Sequence, residues 1–365
     1  MVKQNEGYLM KIFEHSLYKK DVWTVMSLGV PWNKLKGSSI LISGASGLLG
    51  SFLVDVIMGK NQQESLNCRV IAMGRSKAKA LERFGQYIND SKFRFVPCDV
   101  NFPIFLDGAE NIDYVIHLAS NTHPKAYALD PIGTITTNVL GVKNMLDFCE
   151  AHHVRRFAFA SSNEIYGENR GDVEKFNEEY CGYINCNTLR AGYPESKRCG
   201  EALCQAYIVQ KGLDIVIPRF TRSYGPTLQK TDTKALSQFL QKAVAGENII
   251  LKSQGTQYYS YTYMADAISG LLMVLLCGKS GEAYNIADSQ SDIRLKDLAG
   301  IVAKSVGREV VFEVPDEVES MGYSKATKAR LDSKKLQLLG WRSMYSIEDG
   351  VWRTIKILRD CFLPL

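Results

Sequence analysis

"ILISGASGLLGSFLVDVIM" (40–58) runs from an apolar tetrad into a glycine-rich turn and out into an amphipathic stretch. An apolar tetrad suits a buried strand, and the run after Gly50 suits a helix. Within the turn, Gly44 permits the tight bend and Gly47 lets backbone approach a pyrophosphate. Gly50 allows the helix to pack closely on the strand. The free N–H groups of that helix then face an anion. A glycine-rich turn alone is weak evidence, so its weight depends on what surrounds it.

Outward from the turn, short apolar runs alternate with longer helical stretches: "RVIAMG" (69–74), "FRFVPCD" (93–99), "YVIHLAS" (114–120), "RFAFASS" (156–162) and "IVIPRF" (215–220). Runs apolar on both faces, each separated by room for a helix, predict a parallel sheet covered on both sides. The fold class is therefore α/β, a Rossmann-type doubly wound sheet with a smaller C-terminal substrate-binding lobe. In that setting the turn predicts a dinucleotide site built from Gly44, Ser46, Gly47, Leu48, Leu49 and Gly50. The strand ends contribute Asp99, Val100, Leu118, Ala119 and Ser120, with Asp99 facing the adenine.

The expected division is an appended helical segment over 1–37, a dinucleotide-binding domain over 38–221 plus about 258–283, and a substrate lobe over 222–257 plus 284–365. Helical segments are expected near 233–246, 265–277 and 295–306.

Composition narrows the partners. The formal charge of +5 over 365 residues is modest, and no basic block with interleaved aromatics suggests nucleic acid. The longest apolar stretch, "ISGLLMVLLCG" (268–278), is too short to span a bilayer, and the first twenty residues lack a signal-peptide pattern. Nine cysteines form an odd count without a C-x-x-C pair, which fits reduced thiols in a cytoplasm. The pairs Cys181/Cys186 and Cys199/Cys204 lack histidines at finger-like spacing, so no metal is expected.

The second strand ends in "MGRSKAK" (73–79) where an acid for the adenosine ribose would be expected. Arg75, with Ser76 or Lys77, could instead hold a 2′-phosphate, which leans toward NADP; an exposed basic loop explains the same residues. "YPESK" (193–197) places Tyr193 and Lys197 on one helix face, where a close ammonium would favour the phenolate. "SSNEIYG" (161–167) puts Ser162 and a carboxylate, Glu164, at the mouth of a buried strand.

With "TTNVLGVKNML", "RFTRSYGP", "YTYMAD" and "EAYNIAD" added, the chain from about residue 38 onward resembles the extended short-chain dehydrogenase/reductase family. The likeness is to its NAD-dependent nucleotide-sugar epimerases, dehydratases and decarboxylases, most closely UDP-glucuronate decarboxylases. The resemblance implies NAD and a homodimer, acting on a nucleotide sugar in the cytoplasm. It implies that Ser162 holds the sugar O4 while Tyr193 takes its proton and Lys197 supports both phenolate and ribose. Glu164 would then act at carbon 5 of the 4-keto sugar. Asn163, where dehydratases carry an acid, argues against an ordinary 4,6-dehydratase. Asn121, Asn163, Arg222 and Tyr259 are the expected substrate contacts. Two of these depart from the family pattern, which has asparagine for Arg222 and arginine for Tyr259; Arg222 is read as taking over the diphosphate. A 4-epimerase with a structural Glu164, an NADPH-dependent reductase and a non-catalytic NAD(P) sensor are the alternatives.

Overall fold

The computed structural model describes residues 12–106, 111–314 and 327–362, with Glu317, Met321 and Tyr323 between the last two stretches. Residues 1–11 of the expected N-terminal segment and 363–365 of the expected lobe lie outside the described residues.

The apolar runs become strands β1 (Ser39–Ser43), β2 (Arg69–Gly74), β3 (Phe93–Pro97), β4 (Tyr114–His117), β5 (Arg156–Phe159), β6 (Ser161–Ser162) and β7 (Ile215–Phe220). Later strands are shorter: β8 (Arg222–Tyr224), β9 (Ile249–Leu251), β10 (Tyr258–Tyr263), β11 (Ala283–Ile286), β12 (Asp292–Arg294), β13 (Val310–Phe312) and β14 (Lys328–Ala329). The principal sheet has the order β11-β7-β5-β4-β1-β2-β3, with β6 continuing beside β7. Its pairings are parallel throughout.

Alternate residues of each central strand enter different cores. Ile40 and Ile42, Val70 and Ala72, and Tyr114 and Ile116 join one cluster. Leu41, Ile71, Val115 and Phe157 join the other. Burial on both faces is why these strands read as unbroken apolar runs. The connection direction reverses between β1 and β4, so a crevice opens beyond their C-terminal ends.

A second sheet holds β12, β10 and β14, with β8 paired to β10. Two stretches therefore sit differently from the division expected above. Tyr258–Tyr263, grouped there with the dinucleotide half, pairs in the small sheet, while Ala283–Ile286 forms an edge of the principal sheet. Four of the six residues of Tyr258–Tyr263 are tyrosine and Ala283–Ile286 has only four residues, so periodicity does not distinguish a core strand from a lobe strand in either.

The N-terminal helix Ser16–Met26 packs on the helices Leu48–Glu64 and Met264–Cys277. Its Tyr18 hydroxyl donates to Asp55 at 2.5 Å. Asp55 also pairs with Arg83 and accepts from Tyr87 at 3.1 Å. One turn further, Asp21 accepts from Tyr263, Tyr345 and Arg353 at 2.7, 3.0 and 2.9 Å. A buried ion pair adds little net stability but penalises any displaced arrangement. This helix thus fixes the cofactor-side helix against the C-terminal part.

Candidate active site

The turn after β1 is built as its glycines require. Gly44 lies at φ +68°, and a Cβ there would stand 2.7 Å from the Ala119 nitrogen. A Cβ on Gly50 would stand 2.5 Å from the Gly44 carbonyl oxygen. Gly47 precedes the helix Leu48–Glu64 with no side-chain cap, leaving that end to its own N–H groups. Beneath the turn, Ser43 Oγ and His117 Nδ1 meet at 2.7 Å and join β1 to β4. Burial and Lys197 hold His117 neutral, at about 3.

A cavity of about 650 Å³ opens from this turn. Gly44, Ser46, Gly47, Leu48, Leu49, Gly50, Arg75, Asp99, Val100, Leu118, Ala119 and Ser120 line one end. Asn121, Ser162, Asn163, Glu164, Tyr193, Lys197, Arg222 and Tyr259 line the remainder. Apart from Ser76 and Lys77, every candidate residue read from the sequence borders this one space. A backbone cradle with no room for a Cβ, facing an uncapped helix end, fits a dinucleotide pyrophosphate. Near Arg75 the expected helpers differ: Ser76 caps the helix Lys77–Phe84 by accepting from Lys79 N at 3.3 Å, and it is Lys79 that lines the cavity. Asp99 accepts from the backbone and side chain of Asn101, each at 3.0 Å.

Ser162 closes β6, with its Oγ accepting from Glu164 N at 3.2 Å. Tyr193 opens the helix Gly192–Lys211, and Lys197 follows one turn later. Ser120 donates to Asn138 at 2.7 Å, Asn138 to Ser196 at 2.9 Å, and Ser196 to the Tyr193 carbonyl at 2.8 Å. That chain locks the Tyr193 helix to the β4 end.

The electrostatics differ in one respect from the sequence expectation. Burial, then the nearby Glu164 carboxylate, push Tyr193 up to about 12; hydrogen bonding to Ser162, the Arg190 charge and Tyr127 oppose them. Lys197 instead donates to the Ala160 carbonyl at 2.8 Å and lies 4.9 Å from the Phe159 ring centre. Burial lowers it to about 7 despite Glu201. Among the described residues, the cation that favours the Tyr193 phenolate is Arg190.

Sequence reasoning missed Arg190 and Tyr127. Arg190 stands three residues before Tyr193 in "LRAGYPESK" (189–197), a spacing that already placed it near the helix start. Tyr127, whose ring stacks on Tyr193 at 4.7 Å, carried no motif. On the opposite wall, the Arg222 guanidinium lies 3.4 Å from the Tyr259 ring centre. β8 and β10 are adjacent strands with Arg222 opposite Tyr261, so Tyr259, two positions along, lies on the same sheet face as Arg222. One guanidinium nitrogen of Arg222 is buried without a hydrogen-bond partner among the described residues.

Known proteins are similar to this chain in sequence and in fold. The model of the NAD dependent epimerase/dehydratase family matches residues 40–287. UDP-glucuronic acid decarboxylase 1 of Xenopus tropicalis is 29% identical over 320 residues, covering 88% of this chain and 72% of that protein. UDP-glucuronic acid decarboxylase 5 of Arabidopsis thaliana is 30% identical over 316 residues, covering 86% of each. The dTDP-glucose 4,6-dehydratase DesIV of Streptomyces venezuelae, solved with NAD, superposes with a TM-score of 0.75 at 23% identity, covering 88% of this chain and 97% of that one. The chain belongs to the NAD dependent epimerase/dehydratase family.

Proposed function

We propose that this protein oxidises a UDP-linked sugar acid at carbon 4 and then releases the carbon-5 carboxyl group, in the manner of a UDP-glucuronate decarboxylase. The observation that carries the reading is the convergence of Ser162, Tyr193, Lys197 and Glu164 on one cavity beside the dinucleotide turn. Its relatives named as UDP-glucuronic acid decarboxylases support the substrate. The nine free cysteines suit a reducing cytoplasm.

Gly44, Gly47 and Gly50 would hold the cofactor pyrophosphate, and Lys197 its nicotinamide ribose. When bound, the nicotinamide would accept the hydride from carbon 4 and return it there once the carboxyl group has left. Ser162 orients the O4 hydroxyl, and Tyr193 takes its proton as a general base. A ketone at carbon 4 gives the electrons left at carbon 5 somewhere to go, so the bond to the carboxyl can break with loss of carbon dioxide. Glu164, at the β6 mouth, would manage the proton that carbon 5 takes up. Arg222 meets the diphosphate, with Tyr259 supporting its guanidinium. Among cofactors, Arg75 and Lys79 favour a 2′-phosphate and the family name favours NAD.

A 4-epimerase reading is favoured by one observation: Glu164 is fully engaged by Arg190, as a structural carboxylate would be. Incubation with UDP-glucuronate and mass analysis of the product separates the two. Loss of carbon dioxide supports decarboxylation, and an isomer of unchanged mass supports epimerisation. A protein that consumes no UDP-sugar acid sinks both.

A further inference from the structure

The proposed chemistry places two groups in conflict. Tyr193 must become a phenolate, and a neighbouring carboxylate opposes that. Yet Glu164 is needed nearby for carbon 5. The structure contains a device that addresses the conflict. Arg190 Nη2 donates to both oxygens of Glu164, at 2.7 and 2.6 Å. The two side chains are only 11% and 18% exposed, so water screens the pair poorly. Arg190 belongs to the short turn Leu189–Ala191 that runs directly into the helix of Tyr193. Its guanidinium carbon lies 4.8 Å from the Tyr127 ring centre, and that ring stacks on Tyr193 with an interplanar angle of 26°. Carboxylate, guanidinium and the two phenols form one packed cluster.

We propose that Arg190 is a positioning residue that lets Tyr193 work as a base beside a carboxylate, by clamping and neutralising Glu164. This rests on the reading in which Tyr193 takes the proton at carbon 4. The groups facing Tyr193 can be named by element. Ser162 and Glu164 come from β6 and the turn after it, Arg190 from the Leu189–Ala191 turn, and Tyr127 from the helix Pro124–Leu129. Lys197 lies one turn along its own helix. Asp232 acts on Tyr127 from the lobe side. Tyr259, with Arg222 against it, feels both Glu164 and Arg190. Of these, Glu164 is the strongest charge opposing the phenolate, and Arg190 is the one that counters it. Arg190 is itself held charged by Glu164 against the effect of burial.

The test is the pH dependence of the first half-reaction, read as nicotinamide reduction when UDP-glucuronate is mixed with cofactor-loaded protein. The rate should rise with pH along a limb set by Tyr193. In Arg190→Met the unopposed carboxylate should move that limb up by about one pH unit or more, slowing reduction about tenfold on the rising side. Arg190→Lys should keep the limb close to its wild-type position. Adding Glu164→Gln to Arg190→Met removes the offending charge and should return the limb, while Glu164→Gln alone should move it down. A merely structural arginine would lower rates at every pH without moving the limb, and Glu164→Gln would not rescue it. Either result overturns the proposal. A wild-type protein that reduces no cofactor with UDP-sugar acids overturns the underlying reading, and this inference with it. Wild-type reduction with an unmoved limb in Arg190→Met overturns the role of Arg190 alone.

Discussion

Lys197 should destabilise the ligand-free protein, and by an amount that depends on pH. Its ammonium is buried against the Phe159 ring with one carbonyl partner, and burial lowers its pKa from 10.5 to about 7. In the unfolded chain the same group keeps its proton to about 10.4. Between those values the unfolded state holds the extra proton, so raising the pH stabilises the fold. Below about pH 7 the penalty is fully present; at 1.36 kcal/mol per pKa unit it amounts to about 5 kcal/mol. It fades as pH rises toward 10. Lys197→Met removes the charge while keeping much of the apolar stem. The variant should therefore be more stable than the wild type at pH 6, by several kcal/mol, with the advantage shrinking steadily at alkaline pH. Urea unfolding of cofactor-free protein across that range reads the difference directly. A variant less stable at pH 6, or a difference that does not vary with pH, would refute the reasoning. In either case the Lys197 ammonium would be well solvated or well paired in the folded protein, with a pKa close to its unfolded value.

Tyr193→Phe should slow nicotinamide reduction by about 10²–10⁴-fold while cofactor affinity stays nearly unchanged; retention of more than a tenth of the rate in rapid-mixing experiments would exclude Tyr193 as the base. Arg222→Asn should weaken UDP binding by about tenfold or more, the value of a charge-assisted contact. Moving the charge across to the neighbouring strand, in Arg222→Asn with Tyr259→Arg, should recover part of that loss by calorimetry, and strictly additive effects would mean the two do not share the diphosphate. Arg75→Ala should lower the affinity for NADP relative to NAD by about tenfold or more; a wild type that already binds NAD far better than NADP would contradict this.

The principal sheet was legible because its strands are buried on both faces, so "RVIAMG" and "IVIPRF" stand out as unbroken runs, and because Gly44 and Gly50 occupy positions where a Cβ would strike backbone. The small sheet was not. β8 has three residues and β14 two, too few for any period to show, and their pairing with β10 brings together segments far apart in the chain. The site followed the same rule. Ser162, Tyr193 and Lys197 announce themselves by spacing on single elements. Arg190 and Tyr127 matter through contacts across elements, which no local pattern encodes. Likewise the expectation that Lys197 would act directly on Tyr193 followed from helix spacing, whereas the Ala160 carbonyl and the Phe159 ring, supplied by β5 and its exit, hold the ammonium.

In the proposed reaction Glu164 acts at carbon 5 after oxidation at carbon 4. Glu164→Gln tests it most directly, in a single turnover with UDP-glucuronate followed by nicotinamide absorbance and product analysis, alongside a thermal melt. The expected result is a stall: the nicotinamide becomes reduced, the 4-keto sugar persists, and no product leaves, in a protein still folded at the assay temperature although loss of the Arg190 ion pair lowers its melt. A variant that completes its cycle at close to the normal rate, or one that melts early and loses both half-reactions together, would contradict it.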